Sequence, residues 1–181
     1  MLAHDRGIKE RMIVRRLTID DRKQLWNLRL RSLQDSPEGF GATYEETIAR
    51  GYENYVKRLA ENQESKYWLG AFDDDQAHTL IGMVGLIREP HLKSQHKALI
   101  ISMYVIPEAR GKGVGKALLS EIINYAKTTD LDQLQLAVVT TNEPARKLYR
   151  SLGFEVYGIE PRALKKDGQF WDEELMILQL K

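Results

Sequence analysis

Arg110, Gly111, Lys112, Gly113, Val114, Gly115 and Lys116 carry the clearest chemistry in the chain. An apolar, β-like run, Leu99–Ile106, precedes them. A run of helical period follows, with Val114, Leu118, Leu119, Ile122, Ile123 and Ala126 on one face. A strand, a glycine-rich turn and a helix N-terminus together form an anion cradle. Glycine lets the backbone come close to a ligand, and the first-turn N–H groups lack intrahelical partners. Arg110 and Lys116 add positive charge at the same end, so a diphosphate suits the turn. It is not a Walker A loop, because Lys116 is followed by Ala117 rather than Ser or Thr. The glycine spacing is G-x-G-x-G, whereas a dinucleotide fingerprint requires G-x-G-x-x-G.

A second segment, Thr140 to Glu155, follows the strand-like run Leu134–Val139. Asn142 suits a helix N-cap, Pro144 the first turn and Gly153 the position just past the helix end. Ala145, Leu148 and Leu152 form the apolar stripe. The run R-x-x-G-x-G after V-x-P resembles the acetyl-coenzyme A signature of the GCN5-related N-acetyltransferases (GNAT). The later N-x-x-A-x-x-L-Y-x-x-x-G-F resembles that family's other signature, in the expected order and spacing.

The resemblance covers most of residues 12–181, with its specific motifs inside 103–154. It implies an α/β (α+β) GNAT fold: a mixed, mostly antiparallel central sheet of about seven strands flanked by about four helices. It also implies an acyl-CoA N-acyltransferase, with acetyl-CoA as co-substrate and no metal. A primary amine would attack the thioester directly, in a ternary complex. By the same resemblance, Arg110, Gly111, Lys112, Gly113, Val114, Gly115 and Lys116 hold the diphosphate, and Asn142 contacts the pantetheine arm. Backbone N–H groups at Met103, Tyr104 and Val105 meet the oxyanion, one such donor being worth ~3 kcal/mol. Tyr149 is the expected general acid, since a phenol of pKa about 10 can protonate a thiolate of roughly 8.5.

The general base is left open. Some family members carry a glutamate on the strand before the phosphate turn, where this chain has Ser102 and Tyr104. A water relayed by Ser102, an acid from elsewhere or an amine that arrives neutral would each serve. Glu46 follows F-G-A-x-Y-E-E and is a candidate base or acceptor-binding residue, set against its alternative as a helix-start acid. Asp172, Glu173 and Glu174 could line an acceptor cleft, Asp172 and Glu174 sharing a face by strand alternation. Acids near the acceptor side would suit a cationic amine, in a polyamine, an amino sugar or a peptide.

Composition narrows the classes. A length of 181 residues predicts one domain, over 12–181, after a loose N-terminal tail over 1–11. A net charge of +1 offers no argument for nucleic acid or a membrane surface as partner. No cysteine is present, which removes disulfides, acyl-cysteine intermediates and zinc–thiolate sites. Without an apolar leader or an 18-residue apolar run, the expectation is a cytoplasmic protein. The four histidines have no metal-ligand spacing. The partner is expected to be a small-molecule or peptide amine, with a homodimer left open. Two readings from other classes remain: a non-catalytic acyl-CoA sensor, and an oligomerisation domain that binds no CoA.

The elements that must position these residues follow from pattern. A strand near Ile13–Leu17 leads to a helix opened by Thr18 and Asp21 and carrying Leu25, Trp26, Leu28 and Leu33. A loop over 36–41 precedes a second helix, expected over 44–60. Tyr67–Phe72 and Leu80–Ile87 read as a hairpin across Asp73–Asp75, and 88–96 as a loop. After the two motif units come a strand over Phe154–Ile159, a connection containing Pro161, and a last strand over Trp171–Leu180.

Overall fold

The computed structural model describes residues 12–59, 65–73 and 78–181. The expected tail over 1–11, Ala60, and Asp74 and Asp75 of the hairpin turn lie outside the described residues. Seven strands form one sheet in the order β1-β2-β3-β4-β5-β7-β6. They are β1 (Met12–Arg16), β2 (Lys66–Asp73), β3 (Thr79–Arg88), β4 (Lys97–Val105), β5 (Gln133–Val139), β6 (Glu155–Lys166) and β7 (Gln169–Gln179). Every pairing is antiparallel except β4 with β5.

Helices cover both faces of the sheet. α1 (Arg22–Asp35), α2 (Tyr44–Arg50) and α3 (Tyr52–Val56) precede β2, α4 (Val114–Lys127) links β4 to β5, and α5 (Glu143–Ser151) links β5 to β6. β3 divides its side chains between the two layers, its alternation reset by a bulge where Leu80 opposes Phe72 but Gly82 opposes Ala71. Leu80 and Met83 pack with Leu25, Leu28, Tyr55 and Val56, while Ile81 and Val84 pack with Leu118, Leu119 and Ile122. Burial on both faces is the reason that β3 reads as an unbroken apolar run.

Two expectations are corrected. The helix over 44–60 is broken at Gly51, whose φ of +83° ends α2 and starts α3, giving five helices among the described residues. A residue at that φ cannot continue an α-helix, and the break leaves Ile48 exposed on α2 while Tyr55 and Val56 of α3 are buried. The Pro161 connection is not a loop: β6 runs through it to Lys166. The register shifts between Glu160 and Leu164, Arg162 takes a φ of +56°, and its N–H donates to Asp172 Oδ1 at 2.7 Å. Pro161 is tolerated because β6 is the sheet's edge and bulges there.

Candidate active site

The parallel pair at the centre of the sheet opens the site. β4 and β5 pair only over Lys97–Leu99 with Gln133–Gln135. Beyond Leu99 the two strands diverge, and β4 has no strand partner on that side. A bulge on the β3 side accompanies the divergence: Met83 opposes Tyr104, Gly85 opposes Ile101, and Ser102 sits at φ +53°. The result is a cleft of about 720 Å³ lined by β4 residues 99–105 and β5 residues 136–139.

The glycine turn closes one end of this cleft. Gly111 and Gly113 have φ of +76° and +85°, conformations that favour glycine. Gly113 is the N-cap of α4, which has no side-chain cap and no acid in its first turn. α2 and α5, by contrast, are capped by Thr43 and Asn142. An uncapped helix start without acids, facing a cleft, is electrostatically suited to an anion. Gly115 serves differently: a Cβ there would lie 3.1 Å from Leu148 Cδ2 and 3.2 Å from Met103 Cε. Arg110, Gly111, Gly113, Val114, Gly115 and Lys116 all line the cleft, whereas Lys112 does not. The Arg110 guanidinium donates to Val105 O at 3.0 Å.

Met103, Tyr104, Val105, Asn142 and Tyr149 line the same cleft, so it gathers both sequence motifs. The Asn142 side chain accepts from Ala145 N–H at 3.2 Å, as expected of an N-cap. Tyr149 is 6% exposed and meets the Phe154 ring edge-on, with centroids 6.0 Å apart. Burial pushes its hydroxyl pKa up to about 12. The Tyr104 hydroxyl points elsewhere, donating to Asp35 Oδ2 at 2.5 Å. Asp35 also accepts from Arg31, which donates to both oxygens of Glu108 at 2.6 and 2.8 Å. The end of α1 is thereby tied to β4 and to the turn before the glycines.

The acids sort by face. Glu46 does not line the cleft; its carboxylate accepts from Thr43 N–H at 2.9 Å, capping α2, and that bond holds its pKa below the ordinary value. Asp172 is exposed and accepts from Arg162, as above. Glu174 is buried beneath α5, accepting from Arg146 at 2.5 Å and from Arg150 at 3.0 Å. The face shared by Asp172 and Glu174 is therefore not the cleft wall: Glu173 lines it. Burial, reinforced by Glu160, raises the Glu173 pKa. Alternation alone could not decide which face of β7 met the cleft.

Arg29, on α1, is a cleft residue that the sequence does not reveal. It is 8% exposed, with its guanidinium 4.7 Å from the Phe40 ring centroid. Its place among Leu25, Leu28 and Leu33 gives the appearance of an ordinary helix-face cation. Among the described residues no group of His, Asp and Glu could hold a metal ion, and no helix is long and apolar enough to cross a membrane.

Comparison with known proteins agrees with this geometry. The Acetyltransferase (GNAT) family matches residues 24–154. An L-methionine sulfoximine/L-methionine sulfone acetyltransferase of Pseudomonas aeruginosa is 37% identical over 44% of this chain and 46% of its own length. A spermidine N(1)-acetyltransferase of Vibrio cholerae is 29% identical over 71% of this chain and 72% of its own. The chain spans half or less of the length of the first curated relatives it matches, 24% to 50%. The fold superposes on yncA of Salmonella typhimurium, solved with its cofactor acetyl-CoA, with a TM-score of 0.75 at 20% identity over 94% of both chains. The uncapped glycine turn, the splayed strands and the matched segment converge: the chain belongs to the GNAT acetyltransferase family.

Proposed function

We propose that the protein is an N-acetyltransferase that moves an acetyl group from acetyl-CoA to a primary amine by direct attack in a ternary complex. One observation carries the reading: an uncapped helix N-terminus with glycines at positive φ closes a cleft that the splayed β4 and β5 hold open. In it, Arg110, Gly111, Gly113, Val114, Gly115 and Lys116 bind the diphosphate, and Asn142 borders the pantetheine arm. Lys112 adds positive charge to the turn from outside the cleft wall. Acetyl-CoA supplies an activated thioester. Peptide N–H groups at Met103, Tyr104 and Val105, on a strand whose far side has no strand partner, are the proposed oxyanion donors.

Tyr149 is the proposed acid for the departing thiolate. With its pKa at about 12, transfer to a thiolate of roughly 8.5 in water would be uphill by ~5 kcal/mol. Departure into the same buried cleft raises the thiolate's basicity as well, which narrows the gap. The hydroxyl therefore acts late, as the C–S bond breaks.

The acceptor class follows from the cleft's charges. Of Glu45, Glu46, Asp172, Glu173 and Glu174, only Glu173 lines the cleft, too little negative charge to match a polycationic acceptor. Arg29 instead brings a buried cation to the acceptor side, which favours an amine that also bears a carboxylate, such as an α-amino acid. The named activity of the Pseudomonas relative points the same way.

The test is acetyl-CoA-dependent thiol release across L-amino acids, their amides, spermidine and a short peptide, alongside CoA calorimetry. Gly113→Asp places a side chain and a negative charge in the cradle, and it should abolish CoA binding in folded protein. Unchanged affinity would sink the cofactor assignment. CoA binding without turnover of any amine would favour the sensor reading.

A further inference from the structure

Resting on that acetyltransferase reading, we propose that Glu173 is the catalytic base: it takes the proton from the acceptor's ammonium on the face of the sheet opposite Tyr149. The charged residues lining the cleft are Arg29, Arg110, Lys116 and Glu173, and no histidine or aspartate lines it. Arginine and lysine carry no proton-accepting site at neutral pH. The Tyr104 hydroxyl is committed to Asp35. Among the described lining residues, Glu173 is thus the one carboxylate available.

Its orientation follows from its neighbour. Glu174 is held under α5 by Arg146 and Arg150, and Met176, on the same side, packs into the α4–α5 core. Strand alternation turns Glu173 to the other face, the side of α1 that carries Arg29. The turn over Pro37–Gly39 that follows α1 shares contacts with β5, the strand that pairs Val139 with Glu173. Tyr149 remains on the α5 side. The Glu174–Arg146–Arg150 cluster ties β7 to α5 and so sets the acid and the base on either side of the cleft.

The groups around Glu173 are Glu160, directly across on β6, and within the cleft Arg29, Arg110, Lys116, Tyr104 and Tyr149. Burial and the Glu160 charge both disfavour its ionised form, so it holds a proton more readily than an ordinary glutamate. A base in this condition is better matched to an amine at neutral pH.

The proton count closes. An ammonium gives one proton to Glu173, and the amine nitrogen forms the N–C bond to the acetyl carbon. Collapse breaks the C–S bond, the thiolate takes the Tyr149 proton, and the nitrogen's surplus proton returns to the tyrosinate. Amide and CoA thiol leave, and Glu173 releases its proton to solvent.

The test compares wild type, Glu173→Gln and Glu160→Gln, using the best amine of the panel and methoxyamine, a nucleophile already neutral at the assay pH. Glu173→Gln should lower kcat/KM about 100-fold or more for the protonated amine, but less than about tenfold for methoxyamine. The acetyl-CoA KM should stay within about twofold. Without any turnover, a carbon-13 titration of the side-chain carboxyl should place Glu173 above ordinary glutamate in wild type. The midpoint should fall in Glu160→Gln, and the acidic limb of kcat/KM should move down with it. Equal losses for both nucleophiles would make Glu173 a binding or packing residue and overturn the proposal. So would retained activity, or an acidic limb unmoved in both variants. A wild-type protein that binds CoA but acetylates no amine refutes the acetyltransferase reading, and the base falls with it.

Discussion

Gly115→Ala separates ligand space from fold stability at the glycine turn. The added Cβ would lie 3.1 Å from Leu148 Cδ2 and 3.2 Å from Met103 Cε, each a few tenths of an ångström too close. Both atoms are the ends of flexible side chains, and both residues line the cleft, so they can yield into it. Overpacking in a filled core costs about 1–3 kcal/mol; with open space beside it, the lower end applies. Alanine is favoured over glycine in a helix by up to ~1 kcal/mol, which offsets that cost. Urea unfolding should therefore place the variant within about 1 kcal/mol of wild type. The yielding side chains narrow the space for the cofactor, and calorimetry should show CoA affinity reduced about tenfold, or ~1.4 kcal/mol. Gly111→Ala is the contrast: nothing lies within 4 Å of its Cβ, but its φ of +76° strains any L side chain by about 1–2 kcal/mol. A folded Gly115→Ala protein that binds CoA like wild type would refute the placement of the cofactor beside α4.

Tyr149→Phe keeps the ring and should lower kcat about tenfold or more with CoA affinity within a few-fold. Because burial raises that hydroxyl to about 12, wild-type kcat should show no alkaline fall from Tyr149 near pH 10; a fall there that vanishes in the variant would contradict the burial argument. Glu174→Gln should cost about 2 kcal/mol of stability at pH 7, since two guanidiniums lose their carboxylate and the exposed one can turn to water. Arg146, then Arg150, holds the Glu174 pKa below its unfolded value, so wild type's advantage is complete above that unfolded value. It fades as pH falls through the lower folded-state pKa. Denaturation at pH 7 and in acid checks the sign, and an advantage that grows in acid would overturn it. Arg29→Gln should raise the KM for an α-amino acid more than for its amide; equal effects on both would remove the carboxylate preference.

Local chemistry decided much of the fold in advance. Asn142, Pro144 and Gly153 bound α5 because caps and breakers act through their own backbone, whatever lies far away. The glycines before α4 were legible for the same reason: the turn's conformation and its uncapped N–H groups depend on a few consecutive residues. The apolar periods that marked the strands and helices reflect burial along each element, which leaves its trace in that element's own sequence. What stayed hidden was relative placement. Nothing within β4 announces that it parts from β5 after Leu99, since pairing is settled between strands, and the bulge against β3 that accompanies the divergence is likewise a matter of two strands. Alternation grouped Asp172 with Glu174, but Arg146 and Arg150 on another element decided that this face would be buried under α5 and leave Glu173 to the cleft. Arg29 resembles any helix cation until Phe40 and the cleft walls surround it. Residue spacing records contacts along one element, whereas a cleft is made between elements that meet only when the chain is folded.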